Sequence, residues 1–167
     1  MTDGEPSRRR RSASALTRAV ALLARREHSA LELQRKLLAR GFPADEVEAA
    51  LARLGEQGLQ DDARFAQALV RARASSGRGP LRLKAELAQH RLSDGLAERA
   101  IEAAEGEQAW GERALELVTR RLRGDDPSDP RVRRRLADFL LRRGFPQFVV
   151  WEVLGQLGKP RDAAELG

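Results

Sequence analysis

Residues 37–51 read LLARGFPADEVEAAL, and their apolar pattern returns twice, in LAQHRLSDGLAERAI at 87–101 and LLRRGFPQFVVWEVL at 140–154. In each stretch a leucine stands five residues before an apolar position, and further apolar residues follow five and nine residues after that position. A recurrence of roughly 50 residues is typical of repeated supersecondary units. It predicts an elongated array with a long surface, and it favours binding over catalysis in a pocket.

The sequence around these stretches predicts short amphipathic helices. One helix face, with the i, i+3, i+4, i+7 spacing, is formed by Leu16, Ala19, Val20 and Leu23. Ser29 with Glu32 is a capping box that starts a second helix, and Gly41 is suited to end it in a left-handed C-cap. No strand pattern competes, so the predicted fold is all-α.

Three consecutive repeats of three helices, nine helices in all, account for most of the chain. In the middle repeat we expect Asp61 to cap the first helix, Pro80 to begin the second and Ser93 to cap the third. The expected joints lie near Gly58 and at Glu105-Gly106, with the second joint the more flexible. The predicted organisation is a disordered basic tail at 1–13, repeats at 14–58, 59–105 and 106–158, and a C-terminal tail at 159–167.

The charge balance indicates an anionic partner. Lys+Arg number 31 against 25 Asp+Glu, for a formal charge of +6. Nearly all the basic residues are arginines, which bind phosphates and carboxylates in a fork that lysine lacks. The partner is therefore expected to be nucleic acid or an acidic protein face. A genome rich in G and C explains the arginine excess equally well.

Several classes of protein are excluded by composition. The absence of cysteine excludes disulfides, zinc fingers and cysteine nucleophiles. No apolar run approaches the ~20 residues that span a bilayer, and the N-terminus lacks the apolar segment of a secretory signal. The expected location is the cytoplasm, without a membrane partner.

Catalytic and metal-binding residues are not evident. His28 and His90 are the only histidines, and each is expected to lie at a helix end. Asp61-Asp62 is better explained by helix capping and the N-terminal dipole than by acid–base chemistry. The run Gly77-Arg78-Gly79-Pro80 lacks the preceding strand and the Lys-Ser/Thr of a phosphate loop. We therefore predict no enzyme activity, no cofactor and no metal.

Arginine placement indicates a binding surface. Arg131, Arg134, Arg135 and Arg142 share one helical face, and a solvated helix face is the alternative explanation. Aromatic residues make up only 4% of the chain, which argues against single-strand binding by base stacking. The predicted binding residues are Arg64, Arg71, Arg73, Arg78, Arg82, Arg134 and Arg135.

The last helix is apolar nearly all round, which is wider than the stripe of a surface helix. Its apolar residues are Phe148, Val149, Val150, Trp151, Val153 and Leu154. Two explanations remain open: burial against the preceding helices, or contact with another protein.

Several of these segments resemble the RecX family of RecA regulators. Residues 24–37, ARREHSALELQRKL, resemble its first-unit signature, and the strongest similarity is LQDDARFA at 59–66 followed by GRGP at 77–80. FLLRRGF at 139–145 is similar to the third unit. The resemblance covers roughly residues 15–157. The chain departs from the pattern at Arg91, where the other repeats have glycine, and in the arginines of residues 8–11.

The resemblance implies a curved, all-helical protein that has neither enzymatic activity nor a cofactor. We expect the protein to be a monomer. Such a protein would lie in the groove of the RecA–single-stranded DNA filament and mainly inhibit recombinase activity. Its setting would be DNA repair, recombination and the SOS response, and its partners RecA and single-stranded DNA, with double-stranded DNA a further candidate. The seven arginines would then face the filament. The alternative is a DNA- or RNA-binding protein without sequence specificity that acts independently of RecA.

Overall fold

The computed structural model describes residues 13–93 and 95–157. These residues form nine α-helices and no strand, which confirms the all-α prediction for the described part of the chain. The predicted tails at 1–13 and 159–167 lie outside the described residues, apart from Ala13. Contacts group the helices into two compact units, Met1–Asp61 and Asp62–Gly167. The helices are α1 Ala15–Leu23, α2 Ala30–Leu38, α3 Ala44–Glu56, α4 Asp62–Ser75, α5 Pro80–Ala88, α6 Leu96–Glu107, α7 Trp110–Leu122, α8 Pro130–Arg142 and α9 Gln147–Leu157.

The first unit is a three-helix bundle closed around a small aliphatic core. The core is formed mainly by Leu33, Leu37, Val47 and Leu54. Ser29 caps α2 as predicted, because its hydroxyl accepts a hydrogen bond from the Glu32 amide at 3.1 Å. The amide of Ala15 donates to the Glu46 carboxylate at 2.8 Å and so ties the start of α1 to α3.

The second unit contains two repeats, α4–α6 and α7–α9, that share one continuous core. Trp110 of α7 meets the Phe145 ring edge-on at 6.5 Å inside that core. The joint expected at Glu105-Gly106 lies instead in the last turn of α6, which continues to Glu107. The Arg113 guanidinium donates to the Ala104 carbonyl at 3.1 Å and so ties the end of α6 to α7.

The equivalent turns of the three repeats all place one residue in the left-handed region. Gly41 and Gly144 have φ of 87°, and Arg91 occupies the same position in the middle repeat with φ of 48°. The departure at Arg91 therefore changes the residue but not the turn. Ser93 does not cap α6, contrary to expectation: the helix begins at Leu96, and the left-handed Gly95 precedes it.

Replacing Arg91 with glycine is expected to raise the free energy of unfolding of the second unit by about 0.5–1 kcal/mol. An L-residue in the left-handed region costs roughly 1–2 kcal/mol, which glycine would relieve. Glycine also loses more conformational entropy on folding, and this loss offsets part of the stabilisation. Urea unfolding can be followed by tryptophan fluorescence, because Trp110 and Trp151 both lie in this unit. Arg99→Gly within α6 is the control and should destabilise the unit by about 1 kcal/mol. An Arg91→Gly protein less stable than wild type would contradict this account.

Candidate nucleic-acid interface

The two repeats of the second unit meet where the start of α5 touches the end of α8. The Gly79 amide donates to the Arg143 carbonyl at 2.7 Å, and the Leu81 amide donates to the Gly144 carbonyl at 3.0 Å. The first amides of a helix and the last carbonyls of another lack partners within their own helices. Here each end satisfies the other, so the junction is held by backbone hydrogen bonds.

Glycine is required on both sides of this junction. A Cβ on Gly79 would lie 2.5 Å from the carbonyl carbon and oxygen of Gly144, and a Cβ on Gly144 would lie 2.5 Å from the Cβ of Arg82. The run at 77–80 thus has a packing role, which explains a glycine-rich turn that lacks the other features of a phosphate loop.

A basic groove runs beside this junction in two adjoining cavities that share Phe139 and Arg143. The first cavity has a volume of about 480 Å³ and is lined by Ser76, Arg78, Arg82, Phe139, Arg142 and Arg143. The second has a volume of about 620 Å³ and is lined by Leu117, Arg120, Arg121, Arg123, Asp125, Arg135, Phe139 and Arg143. Asp125 is the one acidic residue among these described lining residues. We call the two cavities together the basic groove.

The Phe139 ring organises the centre of the basic groove. The guanidinium carbons of Arg121 and Arg143 lie 4.4 Å and 4.9 Å from its centroid. Cation–π attraction of this kind holds long side chains in place without neutralising their charge. Arg143 is fixed further by a 2.9 Å hydrogen bond from its Nη1 to the Ser76 carbonyl. The groove therefore presents arginines held in place before any ligand binds.

The structure brings together three of the seven predicted binding residues. Arg78, Arg82 and Arg135 line the basic groove. Arg82 donates to the Arg142 carbonyl at 3.1 Å, and Arg135 forms an ion pair with Asp125. The planar guanidinium group is the side chain that binds phosphate oxygens through two parallel hydrogen bonds, so these residues are candidates for phosphate contact.

The other four predicted residues do not line the groove. Arg71 forms an ion pair with Glu107 at 3.0 Å. Arg73 pairs with Glu86 at 2.9 Å, and the same carboxylate also takes Arg78 at 2.9 Å. Arg64 and Arg134 are exposed, on α4 and α8 respectively.

Sequence reasoning missed the residues that complete the groove. Four of them lie at or next to the last turns of α7 and α8, namely Arg120, Arg121, Arg123 and Arg143. Basic residues at helix C-termini are normally explained by the helix dipole, so their sequence positions gave no separate sign of a binding site. Phe139 was also missed, because its spacing fits an apolar stripe, whereas it lies in the groove.

The contacts of His28 and His90 indicate structural roles. The His28 ring is buried, with Nδ1 2.9 Å from the Arg26 carbonyl and Nε2 3.1 Å from Lys36 Nζ. Burial lowers the pKa of His28, which favours a neutral ring that accepts from lysine. The His90 ring packs on Phe65 at 4.6 Å.

Glu32, close to His28, forms ion pairs with Arg26 and Lys36. Burial alone would raise the pKa of its carboxyl, but hydrogen bonds from Arg26 and Lys36 outweigh burial and lower the pKa to about 2. These contacts stabilise the start of α2 and indicate a structural role.

Residues 13–93 and 95–157 contain no cluster of three or more His, Cys, Asp or Glu side chains suited to a metal ion. The helices of the same residues are all too short or too polar to cross a membrane.

Comparison with known proteins identifies the same three repeats. The models of the first, second and third three-helix domains of RecX match residues 15–54, 61–101 and 111–154. The regulatory protein RecX of Xanthomonas axonopodis pv. citri (strain 306) is 48% identical over 149 residues, covering 87% of this chain and 91% of its own length. That of Stenotrophomonas maltophilia (strain R551-3) is 49% identical over 138 residues, covering 83% of each chain.

The fold is also that of solved RecX proteins. The crystal structure of RecX from Lactobacillus salivarius matches with a TM-score of 0.73 at 19% identity, over 86% of this chain and 94% of that one. A second crystal structure of a regulatory protein RecX gives a TM-score of 0.69 at 24% identity, over 85% of this chain and 70% of that one. With three tandem three-helix domains and close relatives along most of its length, this chain belongs to the RecX family of regulatory proteins.

Proposed function

We propose that this chain is a non-enzymatic modulator, mainly an inhibitor, of the RecA recombinase and that it binds in the groove of the RecA–single-stranded DNA filament. Its membership of the RecX family supports regulation of RecA. The observation that supports contact with the filament's DNA is the basic groove, in which arginines from α5, α7 and α8 converge. In this proposal Arg78, Arg82 and Arg135 contact phosphates, together with Arg120 and Arg142 of the same groove. The predicted residues Arg64, Arg71, Arg73 and Arg134 contribute longer-range attraction.

The groove is suited to the phosphate backbone rather than to bases. Arg121 and Arg143 both lie against the Phe139 ring, so this ring is not open for a base to stack on as in single-strand binding proteins. Phosphate contacts carry no sequence information. A modulator that binds in this way acts on any sequence that RecA coats, and it obstructs the filament groove without chemistry of its own.

The second candidate is a nucleic-acid binder that acts without RecA. The same groove supports it, because arginines that bind DNA in a filament also bind bare DNA. The two candidates differ in affinity: contacts with both protein and DNA give tighter binding to the filament than to bare DNA.

The test is to measure RecA-driven strand exchange and single-strand-dependent ATP hydrolysis while this protein is added in substoichiometric amounts. We expect inhibition at ratios well below one per RecA protomer, since one bound molecule obstructs several protomers. Binding to the same bare DNA at the same salt is the control. No effect on RecA at any ratio would rule out the proposal. Inhibition only at concentrations that coat bare DNA would favour the second candidate.

A further inference from the structure

A third cavity of the Asp62–Gly167 unit differs from the basic groove in the charge and composition of its lining. It has a volume of about 540 Å³, and the described residues that line it include no arginine or lysine. Its lining includes Ile101, Leu115, Phe148, Glu105, Glu112 and Glu152. We call it the acidic pocket.

Two aromatic side chains of α9 are exposed at and beside the acidic pocket. Phe148, which lines it, is 71% exposed, and Trp151, one turn further along α9, is 67% exposed. They are the two most exposed large apolar side chains of the described residues. The apolar residues of the last helix therefore fall into two groups. Val149, Val150, Val153 and Leu154 are buried in the core, whereas Phe148 and Trp151 are exposed on the surface.

Exposed aromatics next to a cavity are typical of protein–protein contact. Aromatic residues are enriched where binding energy concentrates, and the volume of this cavity lies within the range of ligand pockets. Charge selects the class of partner. Glu105, Glu112 and Glu152 are exposed and form no ion pair with any described residue, so they repel phosphates and attract arginine or lysine.

We infer that the acidic pocket, with Phe148 and Trp151, docks a basic segment of a RecA protomer that carries an apolar anchor residue. The inference rests on the proposed function and assigns DNA binding and RecA binding to two different surfaces of the same unit. The basic groove takes DNA phosphates, and the acidic pocket takes protein. Two weak contacts of opposite charge preference then favour the filament over either component alone.

The test compares binding to RecA filaments on single-stranded DNA with binding to the same DNA alone. The double variant Phe148→Ala/Trp151→Ala should bind the filament roughly 30-fold more weakly or worse, with unchanged affinity for bare DNA. Since both side chains are exposed, the fold should survive, and circular dichroism checks this. Val20→Ala/Leu38→Ala removes exposed apolar side chains from α1 and α2 and is the matched control, expected to bind like wild type.

A charge variant separates docking from loss of apolar contact. Glu112→Lys/Glu152→Lys should weaken filament binding by about tenfold while bare-DNA affinity holds or rises, because positive charge is added. Glu112→Gln/Glu152→Gln serves the same purpose if the lysine variant loses helicity.

The possible outcomes separate the inference from the proposed function. Wild-type filament binding by both double variants would overturn the inference and leave the proposed function intact. An equal loss of bare-DNA binding would assign the surface to nucleic acid, and a wild-type dimer that the aromatic variant dissociates would assign it to a second copy; either result overturns the inference. A wild-type protein that ignores the filament would reject the proposed function and the inference together.

Discussion

Replacing Gly144 with alanine is expected to lower the free energy of unfolding of the Asp62–Gly167 unit by about 3 kcal/mol. The added Cβ would lie 2.5 Å from the Cβ and 2.6 Å from the backbone nitrogen of Arg82. Overpacking of this kind typically costs 1–3 kcal/mol, and the left-handed φ of 87° adds roughly 1–2 kcal/mol for any L-residue. The backbone at Arg82 is held in place by the adjacent hydrogen bond from the Leu81 amide to the Gly144 carbonyl, so it cannot easily shift to accommodate the added Cβ.

Urea unfolding followed by tryptophan fluorescence measures this destabilisation. Gly155→Ala is the control, since Gly155 lies in α9 and an added Cβ there would meet nothing within 4 Å apart from the adjoining backbone of its own helix. Alanine at that position favours the helix by about 0.5–1 kcal/mol. If Gly144→Ala proved as stable as Gly155→Ala, the close approach of α5 to the end of α8 would be wrong.

The double reversal Arg120→Glu/Arg142→Glu is expected to weaken binding to single-stranded DNA by about 100-fold at low salt. Both arginines are exposed and line the basic groove, and neither lies against Phe139. Removing one phosphate contact reduces the steepness of log K against log salt by about 0.7 for a single strand. The steepness should therefore fall by at least about 1.4. A salt titration of anisotropy with a labelled oligonucleotide gives both quantities.

The control places the same change of charge outside the groove. Arg131 and Arg134 are exposed on α8 and do not line the groove, although Arg134 was among the predicted binding residues. Arg131→Glu/Arg134→Glu should weaken binding only through the lower net charge, by a factor of a few. Equal losses in the two double variants would mean that total charge, and not the groove, governs DNA affinity.

Local sequence signals predicted most of the helices and were less accurate at the two ends of α6. The cap at Ser29 and the start of α5 at Pro80 follow from local chemistry, and the structure confirms both. Ser93 had the same local signal, but α6 begins three residues later, after the left-handed Gly95. Glu105 and Gly106, where a joint was expected, lie in the last turn of α6, and Arg113 of the next helix bonds to the Ala104 carbonyl there.

The candidate site was predicted only in part, because its residues come from different helices. Helical spacing places residues on one face of a single helix, and it grouped Arg134 with Arg135. The basic groove instead gathers residues from three helices, and Arg82 and Arg142, which are hydrogen-bonded to each other, lie 60 positions apart. Spacing carries no information about pairs so distant.

The sequence by itself determined the helical class, the three-fold repeat and the absence of cysteine chemistry, because apolar periodicity, capping residues and composition act over a few neighbouring positions. Its motifs also identified the family. Only the tertiary structure decided which arginines share a groove, that Phe139 lies among them, and that Phe148 and Trp151 stay exposed beside carboxylates. Those outcomes depend on how helix ends approach one another, and at Gly79 and Gly144 that approach is set by backbone atoms with no room for a side chain.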